Sequence, residues 1–184
     1  INNIYFDSIN SDSFEENIIG LDNRFKLRIR WYGELKILKD AYFESKIKKN
    51  SIGYKVKEKL KDDIYLQTLT NQKIKKSLLK LENPFLRNLY QFRSIPILVN
   101  RYKRSYFLSN CKKFRITIDI LNNIYKIRKN KFTPLKYKFF PSLTVLEFKT
   151  SYNNELFSEV LSDFPIRHYR NSKYINSFKF INQV

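Results

Sequence analysis

Apolar and polar residues alternate strictly over Lys26-Leu27-Arg28-Ile29-Arg30-Trp31-Tyr32, and the alternation stops at Gly33. A period of two sends successive side chains to opposite faces, so this segment is a strand with one apolar and one basic face. The same period runs from Tyr42 to Lys48 and from Tyr54 to Lys59, and Asn50-Ser51 with Gly53 between them predicts a hairpin. Ile4-Tyr5-Phe6-Asp7 reads as a short strand. The polar stretch with Asp12, Ser13 and Glu15 reads as a helical turn, and Gly20 with Asp22-Asn23 as a reverse turn. Further strands are expected over Ile97 to Phe107, Phe114 to Asp119, Asn123 to Ile127 and Thr144 to Thr150.

Between these strand groups the period changes. Leu60, Ile64, Leu78 and Leu81 recur at roughly helical spacing among many charges, and Pro84 suits the first turn of a second helix reaching about Phe92. Residues of about 60–93 therefore read as a helical insertion. Near the end, Asn153 or Asn154 can cap a helix that carries Leu156, Val160 and Leu161 on one face before Pro165 stops it. Arg167 to Val184 is basic and aromatic without a clear period. With 184 residues, no internal repeat and no linker, a single domain over 1–184 is expected. The chain has no methionine and opens on Ile1 inside an expected strand, so a segment N-terminal to Ile1 is expected to be missing.

Charge and composition narrow the chemistry. With 16 Phe and 13 Tyr the chain is too apolar to be disordered, and its net charge of +19 calls for a polyanion: nucleic acid, an anionic membrane or polyphosphate. A sequence rich in Ile, Asn, Lys and Tyr gathers lysine by composition alone, so the positions of the arginines weigh more than the total. One cysteine, Cys111, excludes an internal disulfide and a CxxC-type zinc site, and is expected as a small core or edge residue. A single histidine, His168, argues against a histidine metal centre or catalytic triad. No apolar run is long enough to span a bilayer and no signal peptide is visible, so a cytoplasmic protein is expected, membrane-associated only through a partner or a missing segment.

Strand after strand, the polar face is charged. Lys26, Arg28 and Arg30 lie opposite Leu27, Ile29 and Trp31; Glu44, Lys46 and Lys48 lie opposite Phe43 and Ile47. Lys55 and Lys57 oppose Tyr54 and Val56, Arg115 and Asp119 oppose Ile116 and Ile118, and Glu147 and Lys149 oppose Leu146 and Phe148. Two architectures satisfy this. In an open sheet the charges face solvent and the apolar face packs on helices. In a closed barrel the charges face inward and must hold something negative, because buried like charges repel. The strand count and the arginines favour the barrel, since arginine suits bidentate phosphate contacts. Glu44 and Glu147 stand alone among cations, each two residues before a lysine, which suits ligands for a divalent ion shared with phosphates.

At these same segments the chain resembles the VTC-type polyphosphate polymerase domain of the triphosphate tunnel (CYTH-like) superfamily. The matching stretches are Ile4-Tyr5-Phe6-Asp7, Lys26 to Gly33, Phe43-Glu44-Ser45-Lys46, Arg101-Tyr102-Lys103-Arg104-Ser105-Tyr106, Arg115-Ile116-Thr117-Ile118-Asp119, Val145-Leu146-Glu147-Phe148-Lys149 and Ser172-Lys173-Tyr174, in the family's order. The resemblance implies an α+β fold: an antiparallel β-barrel tunnel with helices packed outside. It implies transfer of the terminal phosphoryl group of ATP to a growing polyphosphate chain, with Mn²⁺ or Mg²⁺ as cofactor and ATP and polyphosphate as partners. Carried over by position, Arg28, Arg30, Lys46, Arg104 and Arg115 are the catalytic cations. Lys26, Lys57, Lys149, Arg170 and Lys173 are expected as further phosphate contacts, and Glu147 and Glu44 as metal ligands. The family's first strand, with a glutamate and a lysine, is expected before Ile4 and is absent from this chain. Arg170 stands where a lysine is expected, and Lys55 competes with Lys57 for one position. Family members are often coupled to regulatory or membrane domains, so other domains or subunits are expected partners.

Three other functions compete. A tunnel triphosphatase would pass the phosphoryl group to water, although it would need more carboxylates than Glu44 and Glu147 supply. A nucleic-acid module would use the basic and aromatic residues interleaved over Tyr102 to Phe107 and Tyr125 to Phe140, but the ordered motifs speak against it, and no specific nucleic acid is expected. An inactive tunnel that only binds phosphate chains is the third.

Overall fold

The period-two segments fold as strands, because one apolar face per strand buries efficiently only against other such faces. The structure, a computed structural model, describes residues 1–50, 52–128, 131–137, 144–150, 162 and 169–183. The large sheet contains β1 (Asn2–Asp7), β2 (Arg24–Trp31), β4 (Tyr42–Lys49), β5 (Ile52–Lys59), β7 (Ile95–Leu108), β8 (Phe114–Arg128), β9 (Lys131–Tyr137) and β10 (Val145–Thr150). Its strands follow the order β10-β8-β7-β1-β2-β4-β5, with β9 also paired to β8, and the recorded pairings are antiparallel. The sheet curls into a half-barrel, and the fold is α+β as expected.

One face of the curl is the hydrophobic core. Ile4 and Phe6 of β1, Leu27, Ile29 and Trp31 of β2, Phe43 of β4 and Val99 of β7 meet there, all essentially inaccessible to solvent. Two outer helices cover this face: α2 (Asn71–Leu79), through Ile74 and Leu78, and α3 (Pro84–Phe92), through Leu86 and Tyr90. Phe6, Phe43 and Tyr90 pack edge to face with ring centroids 5.9–6.1 Å apart, which fixes α3 against the middle of the sheet. Helix α3 starts as the sequence predicts, with Pro84 in its first turn and the Asn83 side chain accepting from the Leu86 amide at 3.2 Å. Glu58 of β5 accepts from the Glu82 and Asn83 amides, tying that start to the sheet edge.

The structure departs from the sequence reading in four places. The first part of the 60–93 insertion is not helical: Ile64–Tyr65 is a short strand, β6, paired with Ile37–Leu38, β3, and a single 3₁₀ turn covers Leu66–Thr68. The strands expected over 114–119 and 123–127 are one strand, β8, with a register shift against β7 between Arg101 and Lys103. Strand β9 was not expected. The tail that shows no period forms a helix over Lys173–Gln183, α4. The helix expected after Asn153 or Asn154 lies outside the described residues.

Helix α4 also differs from the outside packing expected of the helices. Tyr174, Ile175 and Ile181 bury against Tyr5 of β1, Leu98 of β7 and Ile124 of β8, which lie on the opposite side of the sheet from Phe6, Val99 and Tyr125. The Tyr174 hydroxyl donates to Asp7 at the end of β1. Asp7 also accepts from the Ser8, Ser13 and Phe14 amides, and so supports the start of α1 (Asp12–Ile18). Among the described residues no helix is long and apolar enough to cross a membrane.

Leu27 is fully buried in the main core. Leu27→Ala is expected to cost about 2–5 kcal/mol by leaving a void there. Urea unfolding followed by circular dichroism should show a lower midpoint with an unchanged slope.

Candidate functional site

The register gathers the charged halves of the strands on one surface. Arg28 pairs with Tyr5 on one side and Glu44 on the other, and Lys26 with Lys46. Glu44 in turn pairs with Lys57, and Lys46 with Lys55. Across the sheet, Arg104 pairs with Asp119, Glu147 with Thr117 and Lys149 with Arg115. With a period of two, residues opposite one another share a face, so these side chains belong to the concave face that also receives α4.

The two flanks of the curl sense each other. Lys46, on β4, lies within the field of Glu147 and Lys149 on β10, although the two strands are far apart in the sheet order. Its end group loses solvation between the flanks even though much of the side chain is exposed, and this desolvation holds its pKa below the ordinary lysine range against the pull of Glu147. Lys26 is pushed further, to about 7, first by burial and then by Lys46, Arg24 and Arg28. Its ammonium donates to the Ser172 hydroxyl at 2.9 Å, just ahead of α4.

Two buried carboxylates organise the cations. Glu44, only 5% exposed, accepts from Arg28 Nε at 2.8 Å and Arg28 Nη2 at 2.6 Å through one oxygen. Arg30 Nη1 lies 4.0 Å from that oxygen, and Lys55 Nζ lies 3.3 Å from the other. Burial alone would raise the Glu44 pKa; the Arg28 and Arg30 guanidiniums and Lys55 overcome this and hold it below 4.5. Asp119, fully buried, receives Arg104 Nε on Oδ1 at 2.5 Å and Nη2 on Oδ2 at 2.7 Å, and pairs with Lys173 of α4. Arg30 is steadied by Asn3 Oδ1 at 2.9 Å and the Tyr102 hydroxyl at 3.1 Å.

Each residue nominated from sequence has a distinct position. Arg28, Arg30, Lys26, Lys46, Arg104, Lys149 and Glu147 share the concave face, and Lys173 reaches it from α4. Lys57 is exposed on β5 and sits 4.7 Å over the Tyr42 ring, while Lys55 of the same strand contacts Glu44. Arg115 is exposed near the start of β8, and Arg170 is exposed with a guanidinium nitrogen beside Gly20. Glu44, expected as a metal ligand, has both oxygens engaged by cations. Glu147 also has both oxygens engaged, Oε1 by Lys149 at 3.3 Å and Oε2 by Arg104 at 3.6 Å and the Thr117 hydroxyl at 3.4 Å, but it is 40% exposed where Glu44 is 5% exposed. No three histidine, cysteine or carboxylate side chains converge among the described residues. Sequence reasoning missed Asn3 and quoted Tyr5, Tyr102 and Ser172 within its matching stretches without giving them a role in this site. It placed Asp119 on the charged face without a role; a lone carboxylate in phase with Arg115 was the available signal.

The site is thus a curled antiparallel sheet whose concave face is lined by arginines and lysines, partly neutralised from within. The model of the VTC domain family matches residues 1–182, so the chain belongs to the VTC domain family, which is associated with polyphosphate polymerases. No individual curated protein matches closely enough to add a relative.

The depressed pKa of Glu44 fixes the sign of its pH effect. Its contribution to folding is complete above the ordinary value of 4.5 and is lost as pH falls through the lower native value. Glu44→Gln is expected to lower stability at neutral pH by about 1–3 kcal/mol. It should also flatten the loss of stability below about pH 5, measured by urea titrations across the acid range.

Proposed function

We propose that this chain is a polyphosphate polymerase domain that passes the terminal phosphoryl group of ATP to a growing polyphosphate chain on its concave face. The observation that carries the reading is the Arg28, Arg30 and Arg104 set, held by internal carboxylates on one curled face in a VTC domain. An oxygen of the chain end forms the new bond to the γ-phosphorus, the bond from that phosphorus to the β-bridging oxygen breaks, and ADP departs with the electron pair. Such a transfer needs positioning and charge neutralisation, not a protein nucleophile. Arg28 and Arg104 present fixed guanidiniums suited to bidentate phosphate contacts. Lys26, Lys46 and Lys149 add point charges along the chain.

Glu147 suits a divalent ion, because its carboxylate is partly open and Mg²⁺ or Mn²⁺ commonly takes one or two carboxylates and completes its shell with phosphate oxygens. Bound there, the ion supplies neutralisation of charge on the transferring phosphates. Glu44 acts as a counter-charge that orients Arg28 and Arg30.

Incubation with ATP and Mn²⁺ is expected to give a polymer ladder on a polyacrylamide gel, lost on chelation and in Glu147→Gln. Free phosphate alone would instead identify a triphosphatase, and no turnover with retained polyphosphate binding would identify a binding module. Titration of Lys26 gives a second expectation. It is charged below about 7 and loses its proton above, so its help to an anion fades as pH rises through that value. Arginine keeps its charge, so Lys26→Arg should bind tripolyphosphate relatively better at about pH 8 than at about pH 6 when compared with the unaltered protein by calorimetry.

A further inference from the structure

A fully buried carboxylate among groups that face an anion needs a physical reason, because its charge repels the ligand. Asp119 is that carboxylate, and it is not open enough to serve as a surface counter-ion. It accepts from Nε and Nη2 of Arg104 and pairs with Lys173, which comes from a helix near the C-terminal end of the sequence. The Tyr102 ring lies beneath both cations, 5.5 Å from the Arg104 guanidinium carbon and 5.0 Å from the Lys173 ammonium. The Tyr102 hydroxyl accepts from Arg30, so the ring and the carboxylate together connect three cations from β2, β7 and α4. Arg104 and Lys173 remain 12% and 16% exposed, so neither is sealed off. Long cationic side chains lose rotamer freedom when a ligand orders them, and a site that has already ordered them binds more tightly.

We propose that Asp119 is a positioning residue for the phosphate chain: it locks the Arg104 fork and draws Lys173 onto the β7–β8 wall, so that both face one stretch of ligand. The inference rests on the phosphate-chain reading above and adds to it a prediction of opposite sign to simple electrostatics. Removing a negative charge from an anion site should strengthen binding if that charge only repels. Removing Asp119 should weaken it.

The test is calorimetric titration of tripolyphosphate into the full chain and its variants, with folding checked by circular dichroism. Asp119→Asn is expected to weaken binding about tenfold, the scale of one charge-assisted hydrogen-bonding arrangement. Equal or tighter binding by a folded Asp119→Asn overturns the proposal. The same change made in an Arg104→Ala background should cost several-fold less, because the fork it positions is gone. An equal cost in both backgrounds would reveal a general structural role and overturn it as well. Should Asp119→Asn alone fail to fold, the comparison of Arg104→Ala with Arg104→Ala/Asp119→Asn decides: a further tenfold loss overturns the proposal, and a small change supports it. Failure of the unaltered chain to bind tripolyphosphate would instead sink the phosphate-chain reading itself.

Discussion

Cations crowded on one face of a sheet repel one another, and curling that face inward removes the water that would screen them. The fold answers this constraint with Glu44 and Asp119. Each is buried, each is held ionised by the cations around it, and each touches cations from more than one element: Glu44 those of β2 and β5, Asp119 those of β7 and α4. Burial by itself would favour the neutral acid in both cases, so the depressed pKa of each measures how strongly its neighbours need a negative charge. Where the nearest carboxylate is outweighed the same strain appears in the cation, as at Lys26, where Asp7 does not offset burial and the charges of Lys46, Arg24 and Arg28.

The opposite face explains why the charges stay in phase. Leu27, Ile29 and Trp31 are fully buried between the sheet and the outer helices, and a slip of one residue in β2 would exchange them with Arg28 and Arg30. The hydrophobic core therefore sets the register, and the register builds the cationic face. Core and site are two sides of the same strands. The core has no freedom to change phase without destroying the site, whereas side chains on the concave face can vary in chemistry as long as their neighbours balance them.

How much of this can be read from the chain depends on the length of each periodic run. Strand β2 is an unbroken alternation and β4 and β5 interrupt theirs only at Ser45 and Glu58, so their faces follow directly. Strand β8 hides its continuity. Arg115, Thr117 and Asp119 share the concave face at odd positions, but beyond the shift Ile124 and Lys126 take it at even ones, so the period appears to end and restart. Strands β3 and β6 are two residues each, too short for any period to register. Helix α4 escaped notice because it packs on a mixed surface of Tyr5, Leu98, Ile124 and Asn100, which asks for tyrosine, serine and isoleucine in place of a clean apolar stripe. The partnerships of Glu44 and Asp119 are invisible for a different reason. Their cations come from neighbouring strands and from a helix far along the chain, and only the fold decides which carboxylate meets which cation.

Fixed pairing of carboxylates with cations distinguishes a directed cationic face from a merely basic surface. A chain with a net charge of +19 attracts any polyanion, and attraction alone carries little selectivity. Selectivity for phosphate requires guanidiniums held at fixed angles, since a fork that rotates freely matches a phosphate no better than a point charge does. On the concave face that fixing comes from negative charge placed beneath the positive. Glu44 grips two nitrogens of Arg28, and Asp119 grips two of Arg104, leaving the remaining N–H groups of each guanidinium with restricted directions. Carboxylates that look like a cost to anion binding when counted as charges are, by geometry, what turns loose cations into a surface with defined directions.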